Sequence, residues 1–139
     1  MRSGVKIIPK DMLIPKESFA MFFGGGEIWF EHLDAMSIYK DLVIEKFQKG
    51  ISFVRKPSSP ALIAINLDDT FIDEEIMDII INTYSQNQTY IRKVVFVGLD
   101  RHGKILLRKS IKKCKEFIII VKCINDFELA KEWLVGNRE

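Results

Sequence analysis

The sequence predicts an α/β fold with a mixed sheet, in which an N-terminal antiparallel hairpin joins three parallel strands and helices pack on the sheet. Short apolar runs alternate with amphipathic segments over residues 60–135, a rhythm that is typical of parallel strands covered on both faces. Two apolar runs around a Gly-rich turn precede them. The 139 residues, 47% of them hydrophobic and 29% charged, suit a single domain over residues 1–139.

The N-terminal part of the chain supplies the predicted hairpin. Residues 1–17 contain two prolines and little periodicity, which predicts an irregular or edge segment. Residues 18–23 and 27–33 are strand-like runs, and the glycines from Gly24 to Gly26 predict the turn between them. A glycine run can also cradle phosphate, but the GK[ST] ending of a phosphate-binding loop is absent here.

Helices and strands then alternate. Apolar residues recur every fourth position over residues 36–47, which predicts a helix with Gly50 just past its end. The prolines of residues 56–60 predict a linker. Thr70 and Asn125 each precede a carboxylate by three residues, which predicts helix N-caps. The three parallel strands are predicted at residues 61–65, 94–97 and 117–121, and the helices that follow them at residues 73–84, 104–114 and 127–135.

Composition limits the location and the chemistry of the protein. No apolar run reaches the ~18 residues of a transmembrane span, and the basic N-terminus lacks the apolar core of a secretion signal. We therefore expect a cytoplasmic protein without a membrane span. The two cysteines, Cys114 and Cys123, have no metal-binding spacing, which predicts packed, reduced thiols. No metal and no cofactor is predicted.

The strongest charge signal lies in residues 101–115, which hold seven Lys or Arg and no Asp or Glu. Because the whole chain carries +2, the other residues sum to −5. On a helix, Lys104, Arg108, Lys112 and Lys115 form one stripe. Such a face can meet an acidic protein or an anionic ligand, or can simply be solvated. It lacks the aromatic residues that stack bases, which disfavours nucleic acid.

Polar residues follow each predicted parallel strand. Asp68, Asp69, Asp100 and Asn125 would lie at the carboxyl ends of the strands, where open α/β sheets bind ligands, although Asp and Asn are also ordinary turn and cap residues. The segment NLDDT, which begins at Asn66, resembles the DxDxT loop of haloacid dehalogenase enzymes, but an amide cannot act as the nucleophilic carboxylate. No catalytic residue is therefore predicted.

Residues 60–135 resemble the STAS domain, and in particular small SpoIIAA-like bacterial proteins. The residues that carry the resemblance are ALIAINLDDTFIDEEIMDII, RKVVFVGLDRHGKILLRKSIKK and FIIIVKCINDFELAKEWL. The resemblance implies helices on one face of the sheet and a regulatory or ligand-binding role without catalysis. Anti-anti-sigma members carry a phosphorylatable Ser after an Asp at the second helix. Glu74 stands there, either as a mimic of the phosphorylated state or as an ordinary first-turn carboxylate.

The sequence thus predicts a binding module that acts through protein–protein interaction, with a homodimer left open. A carrier of a small apolar or anionic, lipid-like ligand between helices and sheet is the first alternative. A small phosphatase-like enzyme that uses Asp68, Asp69 and Asp100 is the second. The predicted binding residues are Asp69, Asp73, Glu74, Asp100, Arg101, His102, Arg108 and Lys112.

Overall fold

A five-stranded mixed sheet forms the centre of the protein. A computed structural model describes residues 5–54 and 61–136 of the chain. The strands are β1 (Phe19–Phe23), β2 (Gly26–His32), β3 (Ala61–Asn66), β4 (Ile91–Val97) and β5 (Ile120–Cys123). The helices are α1 (Lys40–Val54), α2 (Glu74–Gln86), α3 (Arg101–Lys112) and α4 (Phe127–Val135), and short 3-10 turns cover Lys10–Met12 and Gln88–Tyr90.

The strand order in the sheet follows the chain order, β1-β2-β3-β4-β5. β1 pairs antiparallel with β2, and every other pair is parallel. Ile63 lies opposite Val94, and Phe96 lies opposite Cys123, so the three predicted parallel strands are neighbours. The predicted α/β class with an N-terminal antiparallel hairpin and three further parallel strands is confirmed.

A two-residue turn closes the hairpin between β1 and β2. Gly24 and Gly25 have φ angles of +57° and +89°, in the left-handed region that glycine enters without steric cost. Positive φ at both central residues is the pattern of a type I′ turn, whose twist matches that of the strands it joins. The glycine run is therefore the predicted hairpin turn.

Helices cover both faces of the sheet. Side chains of α1, α2 and α3 pack with Ile63, Ile65 and Phe96 in one buried cluster. Ala130 and Leu134 of α4 pack on the opposite face, in a cluster with side chains of β2, β3 and β4. Successive strand residues point to opposite faces, so the wholly apolar strands serve both layers. The STAS resemblance implies that all helices lie on one face of the sheet. That expectation is wrong, because α4 lies on the other face.

The first helix begins later and ends later than the predicted range of residues 36–47. Ala35 and Ser37 have φ angles of +59° and +58°, which a right-handed helix cannot include, so α1 starts only at Lys40. Gly50 is not past the end of this helix but buried within it. The predicted linker at residues 56–60 falls outside the described residues.

Three further expectations need correction. Asp73 and Asp126 cap α2 and α4, not Thr70 and Asn125. The Thr70 hydroxyl instead donates to the Leu33 carbonyl at 2.6 Å, and thereby joins the loops after β2 and β3. The apolar pattern of residues 127–135 predicts that Leu129 is buried, but this side chain is 54% exposed. The strand predicted at residues 117–121 is found later, over Ile120–Cys123.

Within residues 5–54 and 61–136, none of the helices has the length and apolar character that crossing a membrane requires.

Candidate functional site

The helix that carries the basic run begins earlier than predicted. Asp100 caps α3, because its Oδ1 accepts a 2.7 Å hydrogen bond from the Gly103 N–H. The helix therefore starts at Arg101 and not at Lys104. Arg101 and His102 precede the predicted helix of residues 104–114, but they form the first turn of α3 and are both exposed.

The outer side of α3 is a nearly continuous positive surface. Leu106, Leu107 and Ser110 face inward and are buried. Opposite them lies a set of cations that we call the basic face, and none of these cations forms an ion pair within the described part of the chain. The basic face consists of Arg101, Lys104, Arg108, Lys109 and Lys112 of α3, together with Lys115 in the turn that follows the helix.

Lys113 differs from the other cations of the run because it is neutralised. Its Nζ lies 3.0 Å from a carboxylate oxygen of Glu74 and 2.9 Å from one of Asp78, both on α2. The Ser110 hydroxyl also donates to Asp78, at 2.5 Å. These bonds from Ser110 and Lys113 lower the pKa of Asp78. Lys113 thus joins α2 to α3. The other cations of the run, which form the basic face, are left for contacts with other molecules.

The basic face runs beside an open edge of the sheet. β5 is the last strand in the sheet order and pairs only with β4 among the described strands. Burial raises the pKa of the Cys123 thiol, and the charges of Lys104 and Arg108 oppose that rise, so both cations lie near β5. Ile118 and Ile120 are 68% and 48% exposed at the same edge. An edge strand of the described sheet, exposed apolar side chains and cations that form no ion pair with the described residues therefore occur together.

Asp73 and Glu74, predicted as binding residues, make structural contacts. The Asp73 carboxylate accepts from the Ile76 N–H at 2.9 Å and lies 2.8 Å from Lys40 Nζ. Burial would raise the pKa of Asp73, but the bonds from Lys40 and Ile76 outweigh it and lower that pKa. Glu74 is held by Lys113. Its place in the first turn of α2 fits an ordinary helix-end carboxylate.

The strand-end carboxylates do converge, as the sequence predicts. A small cavity of about 180 Å³ is lined by Asp68, Asp69 and Asp100, among others. A neighbouring hollow of about 400 Å³ includes Asn125, whose Oδ1 accepts from the Gly98 N–H at 2.9 Å. Within residues 5–54 and 61–136, no three His, Cys, Asp or Glu side chains group closely enough to hold a metal ion. Asp100 caps α3, and Asp69 lies in the turn after β3 with a φ angle of +58°.

The chain matches no protein-family model, no curated protein and no solved structure. No relative therefore indicates whether the basic face or the strand-end cavities form a site.

A second concavity, which the sequence analysis missed, lies on the α1 side of the sheet. It has a volume of about 540 Å³ and lies between residues 15–18, β2 and α1; we call it the α1 groove. Behind its wall lies Glu31, a carboxylate that is only 2% exposed. Glu31 accepts hydrogen bonds from the Trp29 indole at 2.7 Å and from the Ser18 hydroxyl at 3.1 Å. Burial raises the pKa of Glu31, although both hydrogen bonds and the charge of Lys46 oppose the rise.

Proposed function

We propose that this protein is a non-catalytic binding module that takes up an acidic, extended segment of a partner protein along the basic face and the β5 edge. The observation that carries the proposal is the basic face, whose six cations form no ion pair with the described residues, next to a strand that is an edge of the described sheet. The STAS resemblance implies the same kind of role, binding without catalysis. Of the residues that the sequence predicts for binding, the proposed site includes Arg101, Arg108 and Lys112, and His102 adjoins them in the first turn of α3.

The β5 edge favours an extended segment over a helix or a flat surface. An edge strand presents unpaired N–H and C=O groups that can bond an added strand, and this is a common mode of peptide recognition. Alternate side chains of such a strand would face α3, where Lys104 and Arg108 lie near β5. Acidic residues at those positions would meet the cations, while apolar residues on the other side would cover Ile118 and Ile120.

Nucleic acid and anionic lipid are the competing partners for a basic surface. The basic face offers no aromatic side chain on which bases could stack. The exposed isoleucines at the β5 edge suit an amphipathic strand better than a phosphate backbone. Protein is therefore the partner that the composition of this surface favours.

The test uses a labelled peptide of alternating Glu and Val, with duplex DNA and vesicles that contain phosphatidylserine as competing probes. We expect Arg108→Glu combined with Lys112→Glu to weaken peptide binding about tenfold, because each reversed charge is worth roughly 0.5–1 kcal/mol and 1.4 kcal/mol corresponds to a factor of ten. Fluorescence anisotropy measures the affinity. Lys10→Glu with Lys49→Glu makes the same charge change at exposed sites on the N-terminal segment and on α1, and should bind like the wild type.

A second peptide separates strand addition from simple charge attraction. N-methylation of alternate residues leaves the charges in place but removes the backbone donors that pair with β5, and it should abolish most of the binding. Binding of DNA or vesicles that is tighter than peptide binding and equally sensitive to the two reversals would overturn the proposal. So would an N-methylated peptide that binds as well as the parent.

A further inference from the structure

The α1 groove has the size and the lining of a small-molecule site. Its volume of about 540 Å³ lies within the usual range for ligand pockets. Four apolar residues form its walls and floor, and lysines stand along its α1 side. The apolar residues are Trp29, Met36, Leu42 and Phe53.

The apolar wall is partly uncovered. The ring of Trp29 stacks on that of Phe53, with 5.8 Å between the ring centres. Phe53 is nevertheless 55% exposed, so this pair presents aromatic surface to the groove and to solvent. A ligand with an apolar body would cover that surface and gain the free energy of its removal from water.

A lysine at the groove has a hydrogen-bond donor to spare. Lys46 Nζ donates to the His32 carbonyl at 2.7 Å and to the Ser18 hydroxyl at 3.1 Å. An ammonium group has three N–H donors, so one remains without a partner among the described residues. Burial lowers the pKa of Lys46, although nearby carboxylates, Glu31 foremost, oppose the shift. An anion in the groove would compensate this partly desolvated charge more effectively than it could a fully hydrated one.

A second cation stands close by, and the acidic residues of the rim are exposed. Lys49 also lines the groove, one turn further along α1, and forms no ion pair among the described residues. Glu17 and Glu45 line the rim, but both are exposed and therefore screened by solvent. The ammonium groups of Lys46 and Lys49, which reach the groove from α1, thus favour a ligand with a single negative group.

The groove is held in shape by the buried carboxylate behind it. Glu31 binds Trp29 and Ser18, which both line the groove, so its carboxylate fixes the indole ring and the 15–18 segment. Gly50 makes room for it: a Cβ at this position would lie 2.3 Å from Glu31 Oε1. Such prior fixing of the lining lowers the entropic cost of binding.

We propose that the α1 groove binds a small amphipathic carboxylic acid, with its apolar body on Trp29 and Phe53 and its carboxylate at Lys46 and Lys49. This site is separate from the basic face of α3 and does not depend on it.

The test follows the ¹⁵N-labelled protein by NMR during titration with octanoate, 1-octanol and octylamine below their micelle concentrations. Octanoate should shift the Trp29 indole N–H signal in a saturable way. 1-Octanol should bind about tenfold more weakly, because it lacks the charge-assisted bond. Octylamine should not bind saturably, since its ammonium would meet the lysines.

Two variants and a control locate the site. Lys49→Glu should weaken octanoate binding about tenfold and leave 1-octanol unchanged, whereas Phe53→Ser should weaken both ligands, because it removes apolar wall. Arg92→Glu, an equal charge change at an exposed site on β4, should bind octanoate like the wild type. The proposal is overturned if the Trp29 indole signal does not move. It is equally overturned if octanoate and octylamine bind alike, or if Lys49→Glu leaves the octanoate affinity unchanged.

Discussion

At the scale of single residues, Glu31 is the least expected feature of the molecule. A carboxylate that is 2% exposed costs folding free energy unless hydrogen bonds compensate it, and here the Trp29 indole and the Ser18 hydroxyl do so. The sequence could place Glu31 on the same strand face as Trp29. It could not show that α1 buries this face, because Gly50 was predicted to end that helix and not to make room for a carboxylate.

Glu31→Gln should alter how stability depends on pH. Burial raises the pKa of Glu31 in the folded state above its ordinary value of 4.5. The unfolded chain therefore loses the proton first, and wild-type stability falls as pH rises from about 4.5 through the folded-state pKa. Each unit of difference corresponds to about 1.4 kcal/mol. Glutamine cannot ionise, so the stability of the wild type relative to Glu31→Gln should decline over this interval.

Urea unfolding of both proteins between pH 4 and 8 measures this difference. Glu27→Gln removes an exposed carboxylate from the same strand and should follow the wild-type curve. If the difference in unfolding free energy between the wild type and Glu31→Gln stays constant with pH, ionising Glu31 does not cost stability and the prediction is wrong.

At the scale of elements, the sequence predicted the order of strands and helices because that order depends on hydrophobic periodicity. It failed at helix starts, where several polar residues compete for the same role. Thr70 and Asp73 both precede α2. The hydroxyl of the former bonds the Leu33 carbonyl and the Met36 N–H, which are distant in sequence. The cap is thereby left to Asp73. Spacing alone predicted the stripe of Lys104, Arg108, Lys112 and Lys115. It did not predict that Arg101 belongs to the helix. Nor did it predict that α2 neutralises Lys113, because that depends on how two helices pack.

A buried cation, Lys93, attaches α4 to the sheet. Lys93, on β4, is 5% exposed and donates to the carbonyls of Trp133 and Leu134 at the end of α4, at 3.0 and 3.4 Å. A cation is favoured at the C-terminal end of a helix, where carbonyl groups lack partners. Lys93→Met keeps the apolar stem but loses these bonds, so we expect a destabilisation of about 1.5–3 kcal/mol.

Urea unfolding checks this value, and hydrogen exchange should show that the amides of α4 lose protection first. Lys93 also lies over the Trp133 ring, 4.8 Å from its centre. Lys122→Met is the matched control, because Lys122 lies over that ring at 5.9 Å but is exposed. It should cost less than about 0.5 kcal/mol. Equal losses for the two variants would mean that the carbonyl bonds of Lys93 contribute nothing.

At the scale of the whole molecule, the two proposed sites lie toward opposite edges of one sheet. The α1 groove lies against β2, the basic face lies beside β5, and the sheet order puts β3 and β4 between them. Strands are spaced by about 4.8 Å, so β2 and β5 are roughly 14 Å apart. β1 and β5 are the two edges, and the homodimer that the sequence left open stays a prediction.

This separation predicts that the two sites bind independently. Effects of sites more than about 10 Å apart that share no partner usually add within roughly 0.5 kcal/mol, and a coupling between two ligands must appear equally in both affinities. Saturating octanoate should therefore change the affinity for the acidic Glu-Val peptide by less than about twofold. Lys49→Glu should leave peptide binding intact, and Arg108→Glu with Lys112→Glu should leave octanoate binding intact.

If octanoate changed peptide affinity more than this, the affinity for octanoate would have to change by the same factor when peptide is present. The sheet between the two sites would then have to adopt two arrangements, each favoured by one of the ligands.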